Sequence, residues 1–319
     1  MTHAGMEQRP YISVVTPSRN QGRFIRDNIE SVLSQNVPCV EHIVVDGASS
    51  DETVAILKTY PALKWISESD HGQTDALNKG LAMARGQWIA WVNSDDYLLP
   101  GALEKFLAFV HSVPAATFVF SNCLYVDTTG REIERKRASY SRDGFFHWWR
   151  RGVGFAQTGT FFRRELWQAH GPFDVSLNYA MDYDFWLKLT DSTEFYFLDD
   201  YLVAYRLHEA SKTGEGQLPF AREMVQICQR YWDARGGWAK WKYRLLLRLA
   251  AYGRQLMFSG IEQWESGRRA SAARLLIQGY LRNPMSFFDH ANLCFLLRRL
   301  IGRRAYERLR APYRSAVGR

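Results

Sequence analysis

Two adjacent carboxylates, Asp95 and Asp96, follow the short apolar run Trp88-Ile-Ala-Trp-Val92. Like charges a few ångströms apart raise each other's pKa unless a cation or hydrogen-bond donors offset them. A hard divalent ion with oxygen ligands, Mg2+ or Mn2+, would do so and would also bind a diphosphate. The plainer reading is a solvated turn or helix cap ahead of Pro100. Two other runs close in the same way, Tyr11-Ile-Ser-Val-Val-Thr16 at Pro17 and His42-Ile-Val-Val45 at Asp46-Gly47. As parallel neighbours in one sheet, the three would deliver Thr16-Pro17, Asp46-Gly47 and Asn93 to Asp96 to one crevice. That is where open α/β sheets bind ligands.

The intervening residues predict such a sheet. Tyr11 to Thr16 reads as a buried first strand that stops at Pro17, and Ile25, Ile29, Val32 and Leu33 recur at helical spacing. After the His42–Val45 strand, Ser49 and Glu52 stand where a capping box would start a helix with Val54 and Leu57 inward. Lys64 to Ser67 is a third strand, Gln73 to Arg85 a helix ended by Gly86, and Trp88 to Val92 a fourth strand. Strands alternating with helices predict a parallel α/β sheet. The middle is less regular. Phe118 to Val126 and Thr158 to Phe162 read as strands, Asp127 to Gly130 as a turn, and Asp182 to Leu189 as a helix. The charged and aromatic stretch Arg131 to Arg151 reads as an exposed loop or lid. Beyond Gly236-Gly237 the composition turns to Arg, Leu, Ala and Trp at helical spacing, as at Ala272, Leu275 and Leu276. The expected division is therefore 1–235 and a basic helical extension, 236–319.

Six segments, in order, give the chain a resemblance to the family 2 glycosyltransferases. They are Ser13-Val-Val-Thr-Pro-Ser-Arg-Asn20, Val44-Val-Asp-Gly-Ala-Ser-Ser-Asp-Glu-Thr53 and Ser67-Glu-Ser-Asp-His-Gly-Gln-Thr-Asp-Ala-Leu-Asn-Lys-Gly80. Trp91-Val-Asn-Ser-Asp-Asp96, Tyr179-Ala-Met-Asp-Tyr-Asp-Phe-Trp-Leu187 and Tyr205-Arg-Leu-His-Glu-Ala-Ser-Lys-Thr213 complete them. The resemblance implies the GT-A fold: a Rossmann-like, mostly parallel mixed sheet flanked by helices, here with a C-terminal helical extension. It implies sugar transfer from a nucleotide-diphosphate sugar, with inversion, to a glycan or polyprenyl-linked acceptor, as in building bacterial surface polysaccharide.

By the same resemblance, Thr16, Ser18 and Asp46 line the nucleoside pocket. Asp95 falls at the metal-binding carboxylate of the family's D-x-D element, with Asp96 beside it. Asn93 replaces that element's first Asp, so a ribose contact survives without its charge. Gly47 departs from members with a paired Asp there, which leaves UDP, GDP and dTDP donors open. Asp182 matches the general base, with Met181 in place of the usual Glu. The plainer role for Asp182 is a cap for a helix beginning at Tyr183, and Asp184 divides between structure and the acceptor site. His208 is implied as a further metal ligand or diphosphate contact. Gln157 opens a segment that would shape the acceptor site. Trp148 and Trp149 suit either stacking on a sugar or lipid carrier, or buried packing.

Other classes fit less well. The formal net charge of +8 suggests an anionic partner, but residues 1–235 carry net −5 and residues 236–319 net +13. A nucleic-acid-binding protein would explain that tail but not the acidic strand ends, so no nucleic acid is expected. An interaction module that keeps the fold without turnover is the third class. Two readings of the tail stand side by side: amphipathic helices on an anionic membrane surface, or helices packed on the catalytic domain. Thr16 to Gly22 lacks the Gly-rich phosphate loop of a sugar nucleotidyltransferase, and no P-loop, G-x-S-x-G or H-E-x-x-H motif occurs. The four cysteines form no C-x-x-C pair, and neither a signal segment nor an uncharged run of spanning length is present. The expectation is a cytoplasmic protein, peripheral on the inner face of the membrane if the tail binds lipid.

Overall fold

The computed structural model describes residues 10–148, 152–209, 211–212, 217–247 and 251–283. Contacts divide the chain into compact units of residues 1–214 and 215–319. In the first unit, β1 (Ile12–Ser18), β2 (Val40–Asp46), β3 (Lys64–Ser67) and β4 (Trp88–Trp91) pair in parallel, in the order β3-β2-β1-β4. The helices α1 (Ile25–Leu33), α2 (Thr53–Leu57) and α3 (Gln73–Met83) connect them. Every residue of β1 and β4 is buried; β4 is accordingly a continuous apolar run, while β1 also buries the hydroxyls of Ser13, Thr16 and Ser18.

Beyond β4 the sheet becomes mixed. β8 (Thr160–Arg163) is antiparallel to both β4 and β6 (Phe118–Val126), and β9 (Phe195–Arg206) runs parallel to β6. The short β5 (Tyr97–Leu98) pairs with β9, and β7 (Glu132–Lys136) pairs with β6. Among the described residues, the remaining α-helices of this unit are α4 (Ala102–Ser112), α5 (Arg142–Phe146), α6 (Arg164–His170) and α7 (Met181–Leu189). Trp88, Phe106 and Phe161 centre its core, with Phe106 stacked on Phe161 at 4.3 Å and edge-on to Trp88 at 5.0 Å.

Four local expectations are corrected. β1 continues through Pro17, pairing Ser18 with Asp46. Its register with β4 ends at Val15 and Trp91, so the proline stands where one side is already open. Leu33 is 51% exposed; the buried stripe of α1 is Ile25, Asn28, Ile29 and Val32. No capping box forms, because Ser49 bonds Asp46, and Asp51 accepts from the Thr53 N–H and hydroxyl. Finally, the expected lid folds inward in part: β7 is exposed, but Phe145, Phe146 and Trp148 are buried. Each such ring removes enough apolar area from water to favour packing by about 2 kcal/mol.

The second unit contains α8 (Gln217–Arg235), α9 (Gly237–Leu246), α10 (Tyr252–Glu265) and α11 (Arg269–Arg282). The expected division at 235 and the observed one place α8 on different sides. Either way the charge separates alike, since residues 215–319 hold 20 Lys+Arg and 7 Asp+Glu, net +13. Glycines let α10 and α11 approach closely: a Cβ at Gly260 would lie 2.7 Å from Leu276, and one at Gly279 2.7 Å from Met257.

Candidate active site

The site grows from the turn that follows β4. Asn28, fully buried on α1, donates its Nδ2 hydrogens to the carbonyls of Asn93 (3.0 Å) and Asp96 (2.9 Å). Its Oδ1 accepts from the Thr16 hydroxyl at 3.3 Å. One carboxamide thus ties β1 to the turn that carries the acidic pair. Sequence reasoning passed Asn28 over, although an asparagine within the apolar stripe Ile25, Ile29, Val32 is a signal, since buried amides need partners.

The two carboxylates diverge. Asp96 is 2% exposed, and its Oδ1 accepts the Arg206 N–H at 2.9 Å. Burial, then the charge of Asp95, pushes its carboxyl well above the usual range, against the opposing Arg206 N–H, Thr158 hydroxyl and Arg206 charge. Asp96 therefore anchors the end of β9 from inside the protein. Asp95 faces the other way, and its Oδ2 stands 3.0 Å from Nε2 of His208. Phe24 packs on the His208 ring at 5.0 Å. The neighbouring Arg206, itself 2% exposed, pairs with Asp27 at 2.7 Å and lies over the rings of Phe24 and Tyr97.

Asn93 sits in an amide relay. Its Oδ1 accepts from Gln73 Nε2 and Trp91 Nε1, each at 2.8 Å, while its Nδ2 donates to Gln157 Oε1 at 3.1 Å. Gln157 returns a hydrogen bond to the Trp91 carbonyl at 2.7 Å. The structure thus brings Asn93, expected at the ribose, against Gln157, expected at the acceptor site, with Gln73 added from the N-terminus of α3.

The other predicted residues have distinct placements. Thr16 is fully buried, and its hydroxyl also meets His42 Nε2 at 3.0 Å. Ser18 is 4% exposed at the end of β1. Asp46, fully buried, accepts from the Ser49 N–H, the Ser49 hydroxyl and the Ser67 hydroxyl. Beside it, a Cβ at Gly47 would lie 2.4 Å from Asp70 Oδ2, so a side chain there would have to displace the Asp70 carboxylate. Trp148 is buried at 4% exposure, the packing alternative, while Trp149 lies outside the described residues.

Asp182 is in the first turn of α7, whose N-cap is Ala180; it accepts the Tyr183 N–H at 2.7 Å. Asp184 is largely buried and pairs with Lys188 one turn on, at 2.8 Å. The segment before α7 hangs on α3. Asn78 exchanges two hydrogen bonds with the Phe173 backbone, and Thr74 donates to the Leu177 carbonyl at 2.6 Å. Lys212, four residues beyond His208, reaches the Asn178 carbonyl. The His208 segment and the approach to Asp182 are joined there.

Among the described residues no three His, Cys, Asp or Glu side chains form a metal cluster. The Asp95–His208 pair nevertheless has suitable spacing for two ligands of one ion. Donors about 2.1 Å from an octahedral ion stand about 3.0 Å apart at adjacent vertices. An ion held by two side chains keeps its other positions for phosphate oxygens and water.

The family model described as "Glycosyl transferase family 2" matches residues 13–171. The chain is 26% identical over 215 residues to an uncharacterized glycosyltransferase of Rickettsia prowazekii, covering 64% of this chain and 66% of that one. It is 30% identical over 199 residues to a chondroitin synthase of Escherichia coli, covering 59% of this chain and 28% of that one. The chain thus spans just under two thirds of the first relative and less than a third of the second. Its fold matches the crystal structure of S. aureus TarS 1-349 in complex with UDP-GlcNAc, with TM-score 0.59, 15% identity, and 96% and 92% coverage. The mixed sheet is that of a GT-A glycosyltransferase, and the chain belongs to glycosyltransferase family 2.

Proposed function

We propose that this protein transfers a sugar, with inversion, from a nucleotide-diphosphate sugar to a hydroxyl of a glycan or lipid-linked acceptor during polysaccharide synthesis. The observation that carries the reading is the Asp95–His208 pair, 3.0 Å apart beyond the carboxyl ends of the parallel strands. The likeness to a chondroitin synthase supports a polysaccharide product, and the fold shared with TarS bound to UDP-GlcNAc supports a nucleotide-sugar donor. Mg2+ or Mn2+ held by Asp95 and His208 would stabilise the charge that develops on the leaving diphosphate.

The chain's own residues do the rest. The ends of β1 and β2, with Thr16, Ser18 and Asp46, frame the nucleoside, and the Asn93 relay presents amide groups to its hydroxyls. Asp182 takes the proton of the acceptor hydroxyl as that oxygen attacks the anomeric carbon. The new carbon–oxygen bond forms as the bond to the diphosphate breaks, and the diphosphate leaves with the electron pair. A positioned carboxylate base contributes about 10²–10⁴-fold.

A thermal-shift screen of nucleotide sugars, with and without Mn2+, tests the reading. One donor class should raise the melting temperature in a metal-dependent way, and that donor should then support transfer to a glycan or lipid-linked acceptor. Indifference to every nucleotide sugar under both conditions would overturn it.

A further inference from the structure

We propose that the second unit lies on an anionic lipid surface through the outward face of α9. The proposal is independent of the transferase reading. One side of α9 is committed to α8: Tyr243 stacks on Trp232 at 4.0 Å, and Arg244 and Lys240 pair with Asp233 at 2.8 and 3.8 Å. At about 100° per residue, Trp238, Trp241 and Leu245 share a different side. They are 76%, 66% and 60% exposed. A second helix repeats the pattern. α11 buries Ala272 and Gly279, and leaves Ile277, Tyr280 and Leu281 60%, 47% and 72% exposed.

The chemistry of these faces selects the occupant. Tryptophan combines an apolar ring with an N–H donor and concentrates where hydrocarbon meets headgroups. Lys242 stands beside the face, its ammonium 5.8 Å from the Trp238 ring. The unit carries net +13, which complements anionic headgroups and disfavours another copy of the same basic unit. No helix among the described residues is long and apolar enough to cross a membrane. A basic helix with an aromatic face and no spanning length lies in the interface plane.

The test uses the full chain and its Trp238→Ala/Trp241→Ala/Leu245→Ala variant, whose changes fall on exposed positions and leave the Trp232–Tyr243 stack intact. Both are sedimented with vesicles of phosphatidylcholine alone or with one third phosphatidylglycerol. Wild type should pellet with the anionic vesicles and be released by salt, and the variant should partition at least tenfold less. Retention equal to wild type, or no pelleting of either protein, overturns the proposal. So does a lipid-free dimer in sedimentation velocity that the triple variant dissociates, since the face would then seat a second copy. Circular dichroism and melting temperature confirm the variant's fold, and Lys242→Glu, which leaves the apolar face intact, provides a second reading. It should weaken binding to anionic vesicles only.

Discussion

His208 and Asp95 are 113 residues apart in the chain and 3.0 Å apart in space. The carboxylate next door makes this possible. Asp96, turned inward, holds the backbone N–H of Arg206 at the end of β9, and two residues later the imidazole meets Asp95. The adjacent carboxylates therefore divide the labour: one fixes where the strand ends, and the other is presented to the crevice.

Removing either partner of the presented pair should uncouple metal from donor. In Asp95→Asn or His208→Ala, Mn2+-dependent stabilisation by the nucleotide sugar should weaken by more than ~10-fold. The metal-free melting temperature should change little in Asp95→Asn, which keeps the side chain's shape, whereas His208→Ala also removes a ring that is 7% exposed and packed on Phe24 and should lower it. Titration calorimetry with Mn2+ and the donor measures the first, and a melt in EDTA the second.

Asp182→Asn should separate chemistry from binding. Its carboxamide keeps the shape and the acceptor oxygen for the Tyr183 N–H, but cannot take a proton. Turnover should fall by about 10²–10⁴ while donor affinity stays near wild type. Equal rates of sugar transfer in the two proteins would assign the base elsewhere.

Much of this site was legible before the structure because it depends on strand ends. Apolar runs located β1 to β4, and their termini brought Thr16-Pro17, Asp46-Gly47 and Asn93 to Asp96 to one crevice, while Ser18 entered through the family resemblance alone. The opposite fates of Asp95 and Asp96 were not legible. Adjacent residues look alike in a sequence, and only the pairing of β9 with β5 and β6 decides which carboxylate is buried. Phe145 misled for a related reason. A charged stretch reads as exposed until the aromatic cluster around Phe155, Trp186 and Phe195, contributed by distant segments, supplies a place for its ring.

Asn28 is the residue that periodicity hid, and its loss should be costly. Asn28→Ala strips hydrogen bonds from the Asn93 and Asp96 carbonyls inside the protein. The Asn93 carbonyl keeps the Asp96 N–H, but a buried polar group left without its partner, as at Asp96, costs about 1–3 kcal/mol, and a loss of that order is expected. Urea unfolding should show a lower midpoint at unchanged slope. Because the lost bonds hold the turn that carries Asp95, metal-dependent donor binding should weaken as well.

Stability should also carry the mark of His42. Burial drives its imidazole down to about 3, from 6.5 in an open chain, so the folded protein keeps it neutral throughout the ordinary pH range. Thr16 donates to Asn28 and is contacted by His42 Nε2, an arrangement in which Nε2 carries the proton and donates to the hydroxyl oxygen. Below pH 6.5 the unfolded chain takes up a proton that the folded one refuses. The contribution of His42 is therefore complete above 6.5 and declines as pH falls towards about 3, amounting to about 2 kcal/mol lost at pH 5. Glu41 acts at lower pH. Burial raises its carboxyl, but Lys64, Ser13 and the Arg85 N–H outweigh burial and hold it below its ordinary 4.5, so its contribution fades only under more acid conditions. His42→Gln can retain a hydrogen bond to Thr16 without titrating. The gap in unfolding free energy between wild type and this variant should narrow, or reverse, in wild type's disfavour from pH 7 to pH 5. A gap that stays constant over that interval would mean that His42 is protonated alike in the folded and unfolded chains.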